Sequence, residues 1–239
     1  MAGRIAYLGN IVTQGLVLDL DAAIKGSYPG TGSIWTDVSN NNNGTLTNGP
    51  TFTGSDYGAI VFDGVDDYVG TSNFSGSITD SFTIGSWVNF TNPNSPTFQK
   101  IFHAQSGSVG PYSEVNLDNY NGGSGNARYH FYTHRLDNTS TNDVLTSTFT
   151  ITGSVWAYVV GVYDNSTKIK SLYINGIINN SGSTTNQITW PDSTTRIGNR
   201  SSIPEPLNGR ISLVQLYNRA LSSTEITQNF NALRGRYGI

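Results

Sequence analysis

The sequence has no cysteine, a single methionine and three glutamates, and charged residues make up 12% of its 239 positions. Without cysteine no disulfide can form, so packing, hydrogen bonds or a metal must hold the fold. The charged share is about half the usual one. Its place is taken by Ser, Thr, Asn and Gly, which suit turns and solvent-facing strand positions rather than helix surfaces. Basic clusters are also missing, and the formal net charge is −3. A phosphate-backbone binder needs grouped Lys and Arg, so nucleic acid is not an expected partner. No run approaches the ~18 apolar residues of a membrane span. Met1–Gln14 lacks the apolar core of a signal peptide.

What is present is a series of short alternating apolar runs between turn clusters, the pattern of an antiparallel sandwich. Phe82–Phe90 alternates cleanly, with Phe82, Ile84, Ser86, Val88 and Phe90 on one face. Trp156–Tyr163 is nearly all apolar and suits a central strand. Asn175-Gly176 predicts a tight hairpin, since both residues tolerate positive φ. Ala59–Phe62 and Tyr68–Gly70 read as strands around Asp63-Gly64. Residues 107–125 read as a long loop rich in Gly, Ser and Asn. One helix is predicted near the C-terminus: Ser222 and Glu225 form a capping box, Ile226, Phe230 and Leu233 follow at helical spacing, and Gly235 can stop it. The expected fold is an all-β antiparallel sandwich of jelly-roll type with one short C-terminal helix.

Catalytic constellations are sparse. Glycoside hydrolysis needs two facing carboxylates. Glu225 is accounted for as a cap, and Glu205 sits between two prolines. Glu114 and Asp118 lie four apart and share a face if their segment is a strand, but a third carboxylate at hydrolase spacing is missing. His130 and His134 also share a strand face, without a clear third zinc ligand. The chain is therefore read as having no enzymatic activity.

Several motifs follow in a fixed order: GLVLDLDA at 15–22, NNNNGTL at 40–46, IVFDGVDDYV at 60–69, FTIGSWV at 82–88, WAYVVGVYD at 156–164, LYING at 172–176, LNGRI at 207–211 and LYNRALS at 216–222. Over Gly15 to Leu233 this run resembles laminin G-like, concanavalin A-like jelly-roll domains, in the branch near pentraxins. The resemblance implies a structural Ca²⁺ at positions matching Asp21, Asp37, Asn42 and Asp63. Against it, Ser212 stands where relatives commonly have Asp, and the carboxylates could instead cap turns and pair with Arg196, Arg210 or Arg219. The resemblance also implies carbohydrate binding on a loop rim, for which Tyr112, Asn116, Asn119, Tyr120 and Arg128 are the candidates.

The opening residues 1–23 and the closing NFNALRGRYGI are similar to laminin G-like proteins of tailed phages, especially those of marine cyanobacteria. That similarity divides the chain into an arm (1–14), a jelly-roll domain (15–233) and a tail (234–239). It implies a virion structural protein: a capsid decoration, head fibre or tail adhesin that docks on other virion proteins or on copies of itself, with host-surface glycans as a candidate ligand. Ile5, Tyr7, Leu8, Ile11 and Val12 of the arm are the candidate docking residues. The alternatives are a free lectin module, extracellular or cytoplasmic, and less readily a glycoside hydrolase.

Overall fold

The computed structural model describes residues 11–106, 113–120, 125–135, 143–184, 188–201 and 203–239. Among the described residues, sixteen strands form two eight-stranded sheets. In chain order they are β1 (Leu16–Asp21), β2 (Ile34–Trp35), β3 (Gly44–Thr47), β4 (Thr51–Thr53), β5 (Ala59–Asp63), β6 (Tyr68–Asn73), β7 (Phe82–Phe90) and β8 (Gln99–Gln105). β9 (Ser113–Tyr120), β10 (Arg128–Arg135), β11 (Asp143–Thr146), β12 (Ala157–Asp164), β13 (Ile169–Ile174), β14 (Ile177–Ser183), β15 (Thr194–Ile197) and β16 (Asn208–Tyr217) follow. The first sheet runs β14-β13-β12-β7-β16-β5-β4, with β1 also paired to β16. The second runs β11-β10-β9-β8-β15-β6-β3-β2. Every pairing is antiparallel. This is the predicted sandwich.

Two apolar layers result. Phe82, Ile84, Val88 and Phe90 of β7 meet Phe102, Leu117 and Phe131 of the second sheet in the main core. The period of two that sends these residues inward sends Trp87 the other way. Trp87 joins Tyr158, Leu213, Ile226, Leu233 and Tyr237 in a second core on the outer face of the first sheet.

That outer face is covered by the helix α1 (Ser223–Leu233). Ser222 caps it, and Glu225 returns the bond to the cap nitrogen, as the S-x-x-E pattern predicts. Gly235 does not stop the helix: the chain tightens into a 3₁₀ turn over Arg234–Tyr237 and ends at Gly238, with φ of 70°. The Asn175-Gly176 turn closes β13 onto β14 with φ of 52° and 80°. The Asp63-Gly64 turn, with Gly64 at φ of 83°, carries the chain from β5 in the first sheet to β6 in the second.

Ile11 and Val12 are buried in the second core. The Val12 amide donates to Asn229 Oδ1, and Tyr217 donates to the Val12 carbonyl. These two residues therefore offer no exposed apolar surface for docking. Ile5, Tyr7 and Leu8 lie outside the described residues.

Candidate functional site

The expected loop at 107–125 contains β9, which is paired to β8 on one side and β10 on the other. Its alternation sorts the side chains. Val115 and Leu117 point into the main core. Glu114, Asn116, Asp118 and Tyr120 point to the outer face of the second sheet and line a cavity of about 470 Å³.

Neighbouring strands complete the floor. Asp118 lies between Lys100 of β8 and His130 of β10, and Asn116 lies between His103 and Tyr132. The register of β8 shifts between Lys100 and Phe102. That bulge brings Lys100 and His103, an odd spacing apart, to the same face. Phe98 and Tyr120 stack at the edge of the cavity, with ring centroids 4.0 Å apart and planes at 14°.

The third element is the loop after β15. Asn199 Oδ1 accepts the amides of Arg200 and Glu205, and the Lys100 amide donates to the Glu205 carbonyl. These bonds bring Arg200 and Glu205 over the sheet. The charged groups then form a chain. Lys100 Nζ lies 2.6 Å from Asp118 Oδ2 and 3.1 Å from Glu205 Oε2. Arg200 lies 3.6 Å from Glu205 Oε1 and 3.4 Å from Glu114 Oε2. Lys100 and Asp118 are 3% and 1% exposed, so little solvent screens the pair.

Burial pushes the Asp118 carboxyl up, but Lys100 and then His130 outweigh it and hold Asp118 below its ordinary value. Glu114 is likewise held low against burial, by bonds from His103 and Asn116 and by the Arg200 charge. Burial lowers the Lys100 ammonium, yet Asp118 and Glu205 hold it above its ordinary value. For His103 burial prevails over Glu114, 3.4 Å away, and keeps the imidazole neutral at pH 7.

Of the expected sugar-binding residues, Asn116 and Tyr120 line this cavity. Asn119 faces inward and bonds the Pro93 carbonyl. Arg128 reaches the Ser147 carbonyl instead. Tyr112 lies outside the described residues. Spacing in the sequence does not bring Lys100, His130, Arg200 and Glu205 together with Asn116 and Tyr120, as the cavity does. The alternating Glu-Val-Asn-Leu-Asp at 114–118 is the signal that points to a strand there.

The expected calcium set is divided. Asp37 accepts the amides of Asp19, Ser39 and Asn42 and the Ser39 hydroxyl. Asp21 accepts from Arg236 at 2.6 Å, and the Asn42 amide group bonds the Val17 carbonyl. Asp63 groups instead with Asp66 and Asp67, ligand atoms within 4.8 Å of one another. A guanidinium beside Asp21 and four donors on Asp37 leave these carboxylates committed, so the four residues do not fit one ion. Ser212 bonds the Gly58 carbonyl and receives the Tyr237 hydroxyl. Of the anticipated arginine partners, Arg219 pairs with Glu225, and Arg196 stacks over Tyr68.

A family model described as the concanavalin A-like lectin/glucanases superfamily matches residues 63–227. No curated protein matches in sequence. Among solved structures, domain 4 of an extracellular arabinanase from Geobacillus stearothermophilus, in complex with arabinotriose, is similar at a TM-score of 0.65 and 15% identity, over 90% of this chain and 97% of that one. The binding domain of botulinum neurotoxin serotype D aligns at 0.68 and 14% identity, over 92% of this chain and 52% of that one. Trypanosoma rangeli sialidase with sialic acid aligns at 0.61 and 18%, over 92% of this chain and 33% of the sialidase. The chain thus spans nearly all of the arabinanase domain, but about half of the toxin domain and a third of the sialidase.

Proposed function

The chain belongs to the concanavalin A-like lectin/glucanase superfamily, and from that premise we propose that it is a sugar-binding module that holds its ligand in the cavity over β8, β9 and β10 without cleaving it. The observation that carries this reading is the composition of the cavity: a buried polar floor beside the stacked rings of Phe98 and Tyr120. Sugars are bound through such pairing of ring faces with a few oriented polar groups, in cavities of this size. The arabinotriose held by the similar arabinanase domain supports the same ligand class.

The charges in the cavity oppose cleavage. A glycosidase needs one carboxyl kept protonated as the acid and one free carboxylate as nucleophile or base. Glu114 and Asp118 are both held below their ordinary values, and Asp118 is bound by Lys100. Neither is poised as an acid.

A phage particle is the proposed setting, supported by the wording of the two termini. Mass spectrometry of purified particles tests it, since a virion protein must be found there in stoichiometric amount. For the sugar reading, calorimetric titration with neutral oligosaccharides is expected to give binding that Tyr120→Ala weakens about tenfold, with no reducing ends released. Unchanged affinity in that variant would remove the cavity from the proposal.

A further inference from the structure

We infer that Glu205 sets the ligand class of the cavity: by occupying both Lys100 and Arg200 it reserves the site for uncharged sugars and turns acidic ones away. The inference rests on the sugar-binding reading and goes on to specificity.

Two cations and three carboxylates line the cavity, and each cation lies between two carboxylates. Lys100 spans Asp118 and Glu205; Arg200 spans Glu205 and Glu114. Glu205 is the shared member, with one carboxylate oxygen toward each cation. The cluster keeps one net negative charge. Recognition of a sugar carboxylate requires a cation free to meet it, ideally an arginine offering its paired donors. Here an incoming carboxylate would have to displace Glu205 and would meet Glu114 and Asp118 behind it. Like charges brought together in a poorly solvated site disfavour binding strongly. A neutral sugar brings no such cost.

Glu205 is also held in place. Its amide donates to Asn199, its carbonyl accepts from Lys100, and Pro204 and Pro206 flank it. Pro fixes φ on both sides of it, so the backbone that presents the carboxylate is held.

The test compares lactose and arabinotriose with sialyllactose by calorimetric titration of the full chain. Wild type is expected to bind a neutral sugar at least about tenfold more tightly than sialyllactose. Glu205→Gln leaves each cation with a single carboxylate, Lys100 with Asp118 and Arg200 with Glu114, and is expected to raise sialyllactose affinity about tenfold or more, the scale of a close interfacial charge pair, so that the preference for the neutral sugar narrows or reverses. Glu205→Asp keeps the charge and should keep the wild-type preference. Circular dichroism and the melting curve establish that each variant is folded, and Glu205→Asp alone decides if Glu205→Gln is not. Equal wild-type affinity for sialyllactose and lactose, or loss of the preference in Glu205→Asp, overturns the role of Glu205 while sugar binding stands. If neither class of sugar binds wild type, the sugar-binding reading fails and this inference with it.

Discussion

Tyr237 lies face to face with Trp87, ring centroids 3.9 Å apart and planes at 18°. Trp87 is on β7, in the middle of the first sheet, and Tyr237 is two residues from the end of the chain. Tyr237 also meets Trp156 at 5.0 Å, and its hydroxyl donates to Ser212. The last turn therefore closes the second core. Tyr237→Ala is expected to destabilise the fold by about 3–5 kcal/mol, the range for truncating a large buried ring. Urea unfolding checks it; a loss below ~1 kcal/mol would mean that this turn contributes little.

Gly198 has φ of 85°, and a Cβ placed there would meet Phe62 Cε1 at 2.2 Å. The φ and the clash act together, since Phe62 sits in the main core. Gly198→Ala should cost about 2 kcal/mol or more, combining left-handed strain with overpacking. The loop that carries Arg200 and Glu205 begins at this residue, so sugar affinity should fall as well. A stable variant with intact binding would show that the loop does not depend on this turn.

Lys170 is wholly buried on β13, bonded to Thr133 and to the Asp143 carbonyl. Burial pushes its ammonium down to about 8, against the pull of Asp143. A lysine depressed in the fold holds fewer protons folded than unfolded between pH 8 and its ordinary value. Stability therefore rises with pH across that window. Above about pH 10 the buried tyrosines reverse the trend, because Tyr129 and Tyr158 are pushed up by burial. Urea midpoints from pH 7.5 to 9.5 should increase, and Lys170→Met should flatten the slope. A falling or flat wild-type profile contradicts this.

Arg236 holds Asp21 in an ion pair at 2.6 Å, at a position where calcium was an expectation. Burial pushes Asp21 up, and Arg236 opposes it. Arg236→Met leaves this carboxylate buried without its cation, which should destabilise by about 3 kcal/mol. A variant as stable as wild type would mean that another group, a metal ion included, balances Asp21.

The fold was largely legible because its strongest signals are local. The alternation at Phe82–Phe90 gives β7, Ser222 with Glu225 gives the helix cap, and Asn175-Gly176 gives the turn. The site was legible only in part. Val115 and Leu117 alternate correctly, but Gly, Ser and Asn on either side make the segment read as a loop. Lys100 and His103 share a face through a bulge that spacing does not reveal. Arg200 and Glu205 join Glu114 and Lys100 by tertiary contact, for which one sequence carries no signal. Asp21 resembles a ligand in its local motif, yet Arg236, 215 residues away in sequence, decides its surroundings.

The most direct measurement is a crystal structure, or backbone chemical-shift mapping, of the full chain with a bound neutral trisaccharide such as arabinotriose. The expected result is a sugar seated against Tyr120, with the resonances of Asn116, Asp118 and His130 shifting on saturation. A sugar bound at another face of the sandwich, with these resonances unmoved, would contradict the assignment of the cavity.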